Sequence, residues 1–271
     1  MSFIKPFLKW PGGKFKLLDR IRNRLDSGSR LVEPFVGSGA VFLNAGFKKH
    51  LLADTNPDLI SLYHQVQGKG MGFAEYCQSF FTLENNCEER YYDFRKQFNS
   101  TSDLEYKSAL FLYLNRHCYN GLCRYNSKNK FNTPFGRYKN PYFPKKELNA
   151  FYESSKSAKF IHAGFIDTMK KARRGDVVYC DPPYVPLSKT ACFNHYTSGG
   201  FSWKEQIELA EWAGKLAKKG IPVIISNHNT DNTQALYKNA GATTERFLVR
   251  RTISCNPNNR GKVEELLAVF Q

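Results

Sequence analysis

Short apolar runs alternate with helical patterns at both ends of this chain, and that alternation limits the folds open to it. The runs that predict strands are residues 30–33, 51–54, 160–163, 176–180 and 222–226. A helix is indicated over residues 203–219, because Ser202 and Glu205 fit a capping box and Gly220 follows the last turn. Strands that alternate with helices pair in parallel and are covered by helices on both faces. The sequence therefore predicts an α/β fold built on a mainly parallel sheet.

The alternation is interrupted in the middle of the chain. Residues 57–116 have a helical pattern, and residues 118–138, which are rich in Asn, Gly and aromatic side chains, predict a hairpin or an ordered loop. A chain of 271 residues is long enough for two modest domains. We therefore expect an α/β domain of residues 1–56 and 145–271, with a second domain of residues 57–144 inserted into it.

The balance of charges is strongly basic. Forty Lys and Arg against 24 Asp and Glu leave a net charge of +16, which favours a polyanionic partner, although a basic surface on a soluble protein would also account for it. The stretch from Tyr106 to Lys146 has nine Lys or Arg, no Asp or Glu, ten aromatic residues and six Asn. Cations neutralise phosphates, Arg and Asn bond base edges, and aromatic rings stack on bases. This stretch is the predicted nucleic-acid surface.

Several other classes of protein are disfavoured. No run approaches the roughly 18 apolar residues of a membrane span, and lysines stand where a signal peptide needs apolar residues, so we expect a cytoplasmic protein. Cys118, Cys123 and His117 lie close in sequence but fit no zinc spacing well, and no metal site is expected. His228, just beyond the strand at 222–226, could act as a base but is expected to be a loop histidine.

The first motif is Glu-Pro-Phe-Val-Gly-Ser-Gly at residues 33–39, where a strand is expected to turn tightly into a short helix. Residue 42 is Phe42, so the third glycine of a dinucleotide fingerprint is missing. Asp54, at the end of the next strand, can accept hydrogen bonds from ribose hydroxyls. The pair suits a nucleoside ligand without a pyrophosphate, such as S-adenosylmethionine. An ordinary glycine turn with a capping or solvent-facing Asp54 is the alternative.

The second motif is Phe-Leu-Lys-Trp-Pro-Gly-Gly-Lys at residues 7–14. It fails the phosphate-loop pattern, because the first glycine of that pattern is replaced by Leu8 and its final Ser or Thr by Phe15. Glycines followed by Lys14 at the start of a helix could instead hold a carboxylate, with Trp10 packing on the ligand. A plain helix start with a core tryptophan remains the alternative.

The third motif, Asp-Pro-Pro-Tyr at residues 181–184, directly follows an apolar strand. Two prolines fix the backbone and withhold two amide donors, so the turn presents carbonyl oxygens beside one carboxylate and one ring. Bonds from an exocyclic amine to the Asp181 carboxylate and the Pro182 carbonyl would favour a pyramidal nitrogen with its lone pair free, while Tyr184 stacks on the base. A strand-ending turn with an exposed aspartate is the alternative.

In the order of the chain, the motifs at 7–14 and 33–39, Asp54 and the motif at 181–184 resemble those of DNA adenine methyltransferases. The position of the recognition segment between Asp54 and Asp181 resembles the alpha group of amino-methyltransferases. Residues 115–126, Asn-Arg-His-Cys-Tyr-Asn-Gly-Leu-Cys-Arg-Tyr-Asn, and 131–138, Phe-Asn-Thr-Pro-Phe-Gly-Arg-Tyr, are similar to the GATC-specific Dam family of bacteria. The resemblance spans essentially the whole chain. It implies a Rossmann-like, S-adenosylmethionine-dependent catalytic domain and, over 57–144, a helical DNA-recognition domain bearing a β-hairpin. The implied reaction is methylation of the exocyclic amino group of a flipped adenine in double-stranded GATC.

The resemblance also implies roles for individual residues. Those implied to hold the flipped adenine are Asp181, Pro182 and Tyr184. Those implied to contact S-adenosylmethionine are Trp10, Lys14, Phe35, Gly37, Asp54 and Asp181. In the hairpin, Arg124 would read a guanine, Leu122 and Pro134 would meet a thymine methyl, Tyr119 and Asn120 would enter the space left by the flipped base, and Lys9 would contact the outer guanine. The implied phosphate contacts are Arg95, Asn126, Asn132, Arg137 and Tyr138.

Other functions remain open from the sequence alone. One is an amino-methyltransferase that acts on cytosine in DNA or on adenine in RNA, and another is a catalytically inactive DNA-binding regulator. A regulator would gain no thermal stability from S-adenosylmethionine. The expected partner is double-stranded DNA, and the expected state is a monomer in the cytoplasm, associated with the nucleoid through DNA binding.

Overall fold

The computed structural model describes residues 3–184, 201–250 and 262–271. Its α-helices are α1 (Leu18–Arg22), α2 (Pro57–Gln78), α3 (Glu88–Phe98), α4 (Leu104–His117), α5 (Lys145–Ser155), α6 (Phe165–Met169), α7 (Trp203–Ala217) and α8 (Asp231–Asn239). Its strands are β1 (Arg30–Glu33), β2 (His50–Asp54), β3 (Ala158–His162), β4 (Asp176–Cys180), β5 (Val223–His228), β6 (Thr243–Arg250) and β7 (Lys262–Phe270). Within these described ranges, every helix is too short or too polar to cross a membrane.

The chain divides into two compact units, called unit 1 and unit 2 below. Unit 1 consists of the described residues within Met1–Leu18, Gly37–Gly46 and Asp54–His162. Unit 2 consists of those within Asp19–Val36, Phe47–Ala53 and Ala163–Gln271. The domain boundaries expected from the sequence, with residues 57–144 inserted between 1–56 and 145–271, stay a prediction.

The described strands form a mostly parallel seven-stranded sheet, and unit 2 holds six of them in the order β2-β1-β4-β5-β7-β6. β1 is parallel to β2 and to β4, and β4 is parallel to β5. All residues of β4 and β5 are buried, as expected for parallel strands that are covered on both faces. The predicted α/β fold class is confirmed.

The C-terminal part of the sheet is antiparallel and is not predicted by the sequence pattern. β7 runs antiparallel to both of its neighbours, β5 and β6. At one end of the β5–β7 pair, His228 lies opposite Glu265. This register brings two titratable side chains to the edge at which the parallel strands β4 and β5 end.

A buried ion pair fixes the register of β1 against β4. The Arg30 guanidinium donates from Nε to Asp176 Oδ1 over 3.0 Å and from one terminal nitrogen to Oδ2 over 2.5 Å. The Asp176 side chain is fully buried. Two parallel donors fix both the distance and the orientation of the carboxylate, so the pair is specific as well as charged.

Unit 1 is mainly helical. α2 packs against α4 and α5, and α4 also packs against α3. Asn56 and Asp103 begin α2 and α4, because each side chain accepts two backbone N–H groups of the first turn. α2 and α5 share an aromatic core, in which the centroids of the Tyr63 and Phe151 rings are 4.6 Å apart.

Two local predictions are refined by the structure. The prediction of a short helix after Gly39 is wrong, because residues 40–45 form turns and bends. In these turns the Leu43 N–H donates to the Gly39 carbonyl over 3.0 Å. Residues 118–138 form an ordered hairpin-like loop closed by two isolated antiparallel bridges, Cys118 with Phe135 and Tyr125 with Phe131. This segment is called the recognition loop below.

Candidate functional site

The glycine turn after β1 is shaped around a tryptophan. Gly37 has a φ of +47°, which favours glycine. A Cβ placed on Gly37 would lie 2.9 Å from Trp10 Nε1 and 3.3 Å from Trp10 Cδ1. The Gly37 carbonyl also accepts the Tyr63 hydroxyl. The absence of a side chain at residue 37 therefore lets the Trp10 indole lie against the turn.

Asp54 binds the same turn from the end of β2. Its Oδ2 accepts the Gly37 N–H over 3.1 Å, and its Oδ1 accepts the Asn56 N–H over 2.9 Å. Burial raises the pKa of the Asp54 carboxyl, and these backbone donors oppose that rise. A carboxylate has about four lone-pair positions, so Asp54 has acceptor capacity beyond these two bonds.

Lys14 lies in the loop that follows Trp10. The loop turns at Gly12, which has a φ of +75°, and the Gly13 N–H bonds the Trp10 carbonyl over 3.2 Å. Lys14 Nζ donates to the Gly12 carbonyl over 2.7 Å, and the side chain is 5% exposed. Lys14 begins a four-residue 3-10 helix, Lys14–Leu17, which continues directly into α1, so a helix does start here. Unit 1 thus brings Trp10, Lys14, Gly37 and Asp54 into one connected set of loops.

Phe35, the remaining predicted cofactor residue of the first motif, belongs to unit 2. Its ring stacks on Phe165 with centroids 5.8 Å apart and meets Phe201 edge-on at 5.5 Å. Phe35 is partly exposed and so offers an apolar surface as well as core contacts.

The Asp-Pro-Pro-Tyr turn follows the buried strand β4 in unit 2. Pro182 is buried, Pro183 is exposed, and Asp181 and Tyr184 are half-buried. The Tyr184 hydroxyl donates to Glu265 Oε2 over 2.9 Å, and its ring meets His228 edge-on with centroids 4.6 Å apart. Burial raises the pKa of Tyr184, and the carboxylates of Asp181 and Glu265 raise it further, so this phenol stays neutral.

His228 differs from the sequence prediction. It is the last residue of β5 and only 8% exposed, so it is not a loop histidine. Its ring holds one side of Tyr184 while Glu265, opposite it on β7, holds the hydroxyl. The strand pair β5–β7 therefore orients the aromatic ring of the turn.

Lys9 is surrounded by the recognition loop and the end of α4. Its Nζ lies 4.0 Å from the centroid of the Tyr138 ring and donates weakly to the Arg116 carbonyl over 3.4 Å. A Cβ on Gly121 would lie 2.3 Å from Lys9 Cβ, so the two backbones are in close contact. Burial lowers the pKa of Lys9, and the nearby Arg116 lowers it further.

The recognition loop holds Arg124 in a defined position. Arg124 Nε donates to Asn132 Oδ1 over 2.8 Å, and a terminal nitrogen donates to the Asn132 carbonyl over 3.3 Å. Asn132 thus orients the predicted guanine reader, and its own side-chain oxygen is used in doing so. A guanidinium has five N–H donors, so Arg124 keeps donors for a base edge.

Tyr119 and Asn120, which are predicted to enter the space left by the flipped base, lie at the start of the recognition loop. Tyr119 is 47% exposed, and its N–H bonds the Pro134 carbonyl over 2.9 Å. Asn120 has a φ of +53°, and its N–H donates to the Tyr138 hydroxyl over 3.0 Å. Leu122 is half-buried, and its carbonyl accepts the Thr133 hydroxyl over 2.7 Å.

The predicted phosphate contacts are more varied. Arg95 donates to the Thr133 carbonyl over 3.1 Å, and its guanidinium lies 4.5 Å from the Tyr92 ring. Asn126 Oδ1 accepts the Lys128 and Lys130 N–H groups at the tip of the loop, each over 3.0 Å. Arg137, which is 75% exposed, pairs with Glu88 over 3.1 Å. Arg95, Asn126 and Asn132 therefore also hold the loop together.

The sequence analysis missed several residues that position these groups. Asn115 is fully buried and bonds both the N–H and the carbonyl of Lys9, over 2.9 and 2.8 Å. Tyr125 donates to Asp58 Oδ2 over 2.8 Å, four residues after Asp54. Gln206 donates to the Pro183 carbonyl over 3.2 Å. A signal existed for Asn115 and Gln206, because each is a polar residue on a mostly apolar helix face.

No three His, Cys, Asp or Glu side chains among the described residues are grouped so that they could hold a metal ion. Cys118 and Cys123 are described, and burial raises the pKa of each thiol to about 12. A thiol with so high a pKa remains protonated at neutral pH and is not a reactive thiolate.

The matching family model and three relatives of this chain have names that describe the same activity. The model of the family described as D12 class N6 adenine-specific DNA methyltransferase matches residues 10–252. Proteins named DNA adenine methylase from Vibrio cholerae serotype O1 (strain ATCC 39315 / El Tor Inaba N16961) and Escherichia coli (strain K12) are each 49% identical over 271 residues, which are 100% of this chain and 97% of theirs. One from Serratia marcescens is 48% identical over 272 residues, with both chains fully covered. The superposition on the solved structure of a precorrin 8w decarboxylase from Methanobacterium thermoautotrophicum covers 100% of each chain, at 12% sequence identity and with a TM-score of 0.44.

Proposed function

Since this chain belongs to the D12 class N6 adenine-specific DNA methyltransferases, we propose that it methylates adenine within double-stranded GATC, with S-adenosylmethionine as the methyl donor and with the target base flipped out of the helix. The chain is an enzyme that methylates adenine in DNA. The donor, the target sequence and the flipped base are the proposed parts.

The observation that carries the mechanism is the Asp-Pro-Pro-Tyr turn with its supports. The Asp181 carboxylate and the Pro182 carbonyl are acceptors on a backbone that two prolines restrain. Glu265 and His228 hold the Tyr184 ring. Gln206 donates to the Pro183 carbonyl, and the Asp181 carboxylate and the Pro182 carbonyl are the acceptors that we assign to the substrate.

These groups suit an exocyclic amine. Its lone pair is delocalised into the purine ring, and its two hydrogens are donors. Acceptors at Asp181 and Pro182 draw both hydrogens out of the ring plane, so the lone pair localises on nitrogen and becomes nucleophilic. Asp181 need not be a strong base, because the proton is lost after the nitrogen has gained its methyl group. The Tyr184 ring stacks on the base, which is reached only outside the helix.

The residues of unit 1 fit the proposed donor. The Asp54 carboxylate retains acceptor capacity that suits ribose hydroxyls, and the Trp10 indole beside the glycine turn suits an adenine or the methionine chain. We propose that Trp10, Lys14, Gly37 and Asp54 hold S-adenosylmethionine, together with Phe35 and Asp181. When bound, its sulfonium supplies an electrophilic methyl group.

Sequence specificity is assigned to the recognition loop. Arg124, oriented by Asn132, reads a guanine by a bidentate contact, and Lys9 contacts the outer guanine. Leu122 and Pro134 meet a thymine methyl. Tyr119 and Asn120 enter the space that the flipped base leaves.

The remaining residues of the loop and its surroundings would set the register on DNA. The proposed phosphate contacts are Arg95, Asn126, Asn132, Arg137 and Tyr138. We propose that residues 57–144 form the target-recognition domain between catalytic segments 1–56 and 145–271, and that the enzyme works as a cytoplasmic monomer that reaches the nucleoid by binding DNA.

The test uses cells that lack GATC methylation. After expression of the protein, their plasmid DNA should resist restriction enzymes that methylated GATC blocks. It should be cut by enzymes that require methylated GATC. Methylation of another sequence, of cytosine or of RNA alone would refute the proposed target.

Asp181→Ala tests the mechanism. It should lower kcat by more than about 100-fold while DNA binding is largely retained, because it removes an acceptor and leaves the DNA-binding loop intact. Asp167→Ala, which removes a 70% exposed carboxylate elsewhere in unit 2, is the matched control and should keep full activity. Persistent turnover of radiolabelled S-adenosylmethionine by Asp181→Ala would contradict the assignment.

A further inference from the structure

A buried polar triad lies beneath the Asp-Pro-Pro-Tyr turn. It is formed by Gln206 on α7, Asn227 on β5 and Tyr237 on α8, and all three side chains are fully buried. Asn227 Nδ2 lies 3.0 Å from Gln206 Oε1 and 2.8 Å from the Tyr237 hydroxyl, which is 3.1 Å from Gln206 Oε1. Three separate elements of unit 2 thus converge below one turn.

The orientation of each amide in this triad follows from one backbone group. The His228 N–H, which can only donate, lies 2.8 Å from Asn227 Oδ1, so Asn227 Nδ2 must face the other two members of the triad. It donates one hydrogen to Gln206 Oε1 and the other to the Tyr237 hydroxyl. Gln206 Oε1 is therefore an acceptor, and Gln206 Nε2 must donate to the Pro183 carbonyl.

The hydrogen bond from Gln206 to the Pro183 carbonyl restrains a backbone dihedral angle that the proline rings leave free. A proline ring fixes φ but not ψ, and each residue has only these two soft dihedrals. The direction of the Pro183 carbonyl is set by the ψ of Pro183, and it also sets the plane of the peptide that leads to Tyr184. The Gln206 donor holds that plane, and its own amide oxygen is fixed by two buried hydrogen bonds, from Asn227 and from Tyr237.

The other end of the same short segment is held by Glu265, which accepts the Tyr184 hydroxyl. Gln206 fixes where the Tyr184 backbone starts, and Glu265 fixes where its side chain ends. Neither one could orient the ring alone, since χ1 and χ2 of Tyr184 lie between them.

We infer that Gln206 is a positioning residue for methyl transfer, which acts through the Pro183 carbonyl to set the position of the Tyr184 ring and of the acceptors beside it. The inference rests on the proposed function, in which that ring stacks on the target base. Gln206 touches neither the base nor the donor in this scheme. Its loss should therefore lower kcat and leave the KM values for DNA and for S-adenosylmethionine largely unchanged.

The main variant is Gln206→Met, which has similar volume and flexibility but no N–H donor. The matched control is Tyr237→Phe, which removes one hydroxyl from the same triad and leaves the Gln206 to Pro183 bond in place. Both should lower the urea midpoint. Gln206→Met should also lower kcat at least about tenfold with KM within about twofold, whereas Tyr237→Phe should keep kcat within about twofold of wild type.

A second readout needs no methyl transfer. A GATC duplex with 2-aminopurine in place of the target adenine reports the environment of the flipped base. Its fluorescence when bound to Gln206→Met should differ from that with wild type, because the ring that stacks on it is displaced, and with Tyr237→Phe it should match wild type.

Should Gln206→Met fail to fold, Gln206→Leu removes the same donor to the Pro183 carbonyl and places no charge in this fully buried site. It should show the same loss of kcat. Equal kcat losses in the Gln206 and Tyr237 variants, or unchanged 2-aminopurine fluorescence with a Gln206 variant, would overturn the inference. A wild-type protein that does not methylate GATC would instead overturn the proposed function.

Discussion

Substitution of Gly37 by alanine tests how the glycine turn and Trp10 form the proposed cofactor site. Gly37 has a φ of +47°, and its N–H and carbonyl are both bonded, to Asp54 and to Tyr63. The backbone is thus held on both sides and cannot relax to a negative φ without losing these bonds. A left-handed conformation costs an alanine about 1–2 kcal/mol, which is the expected loss of stability from the backbone alone.

The second part of the cost comes from Trp10. The new Cβ would lie 2.9 Å from Trp10 Nε1, about 0.6 Å closer than the ~3.5 Å of an ordinary non-bonded contact. The indole must therefore move away from the turn. We expect the dissociation constant for S-adenosylhomocysteine, the reaction product, to rise about tenfold, which is ~1.4 kcal/mol.

Gly46→Ala is the matched control. Gly46 also belongs to unit 1 and has a φ of +80°, but a Cβ there meets nothing within 4 Å. It should show the backbone loss of about 1–2 kcal/mol in urea unfolding and normal binding of S-adenosylhomocysteine by isothermal titration calorimetry. If the two variants bind it equally well, Trp10 and the glycine turn do not form the cofactor site, and the reasoning fails.

Three further predictions concern DNA reading, pH and the ion pair. Arg124→Ala should cost about 1–3 kcal/mol and relax discrimination at one guanine, whereas Arg137→Ala should weaken binding to all sequences and lower the salt slope by about 1. Identical salt titrations for both would refute this division. Burial lowers the pKa of His117 to about 4, below the ordinary 6.5, so stability present above pH 6.5 is lost as pH falls towards 4. His117→Phe should flatten that dependence in urea unfolding, and an unchanged slope would contradict the cause. Arg30→Met leaves the buried Asp176 carboxylate without its partner and should cost about 3–5 kcal/mol, and a loss below about 1 kcal/mol would show that the pair is not needed.

Features with a local cause could be predicted from the sequence. β4 has a continuous apolar run after Asp176, and α7 begins at the capping box of Ser202 with Glu205, so each was predicted at its starting residue. The helical middle was equally readable, because α4 carries an apolar pattern and a capping aspartate. The sequence signals for these elements lie within a few residues along the chain.

Features that depend on distant partners could not be predicted. β6 and β7 contain interspersed charged residues and form only because they pair with each other and with β5. Gln206 bonds a carbonyl 23 residues away, and Asn115 bonds Lys9 across 106 residues. The polar character of such residues was visible in the sequence, but their partners were set by the fold.

The contact between Asn115 and Lys9 has a consequence for engineering. The Asn115 side chain bonds both the N–H and the carbonyl of Lys9, as the backbone of a neighbouring strand would. A Cβ on Gly121 would clash with the Lys9 side chain. Residue 9 is therefore part of the proposed DNA-reading surface, although it precedes Asn115 by 106 residues in the chain. A chimaera that takes only residues 118–138 from a relative with another target sequence would pack them against a residue 9 to which they are not matched. Exchanges made to change the target sequence should therefore include the amino-terminal segment together with the recognition loop.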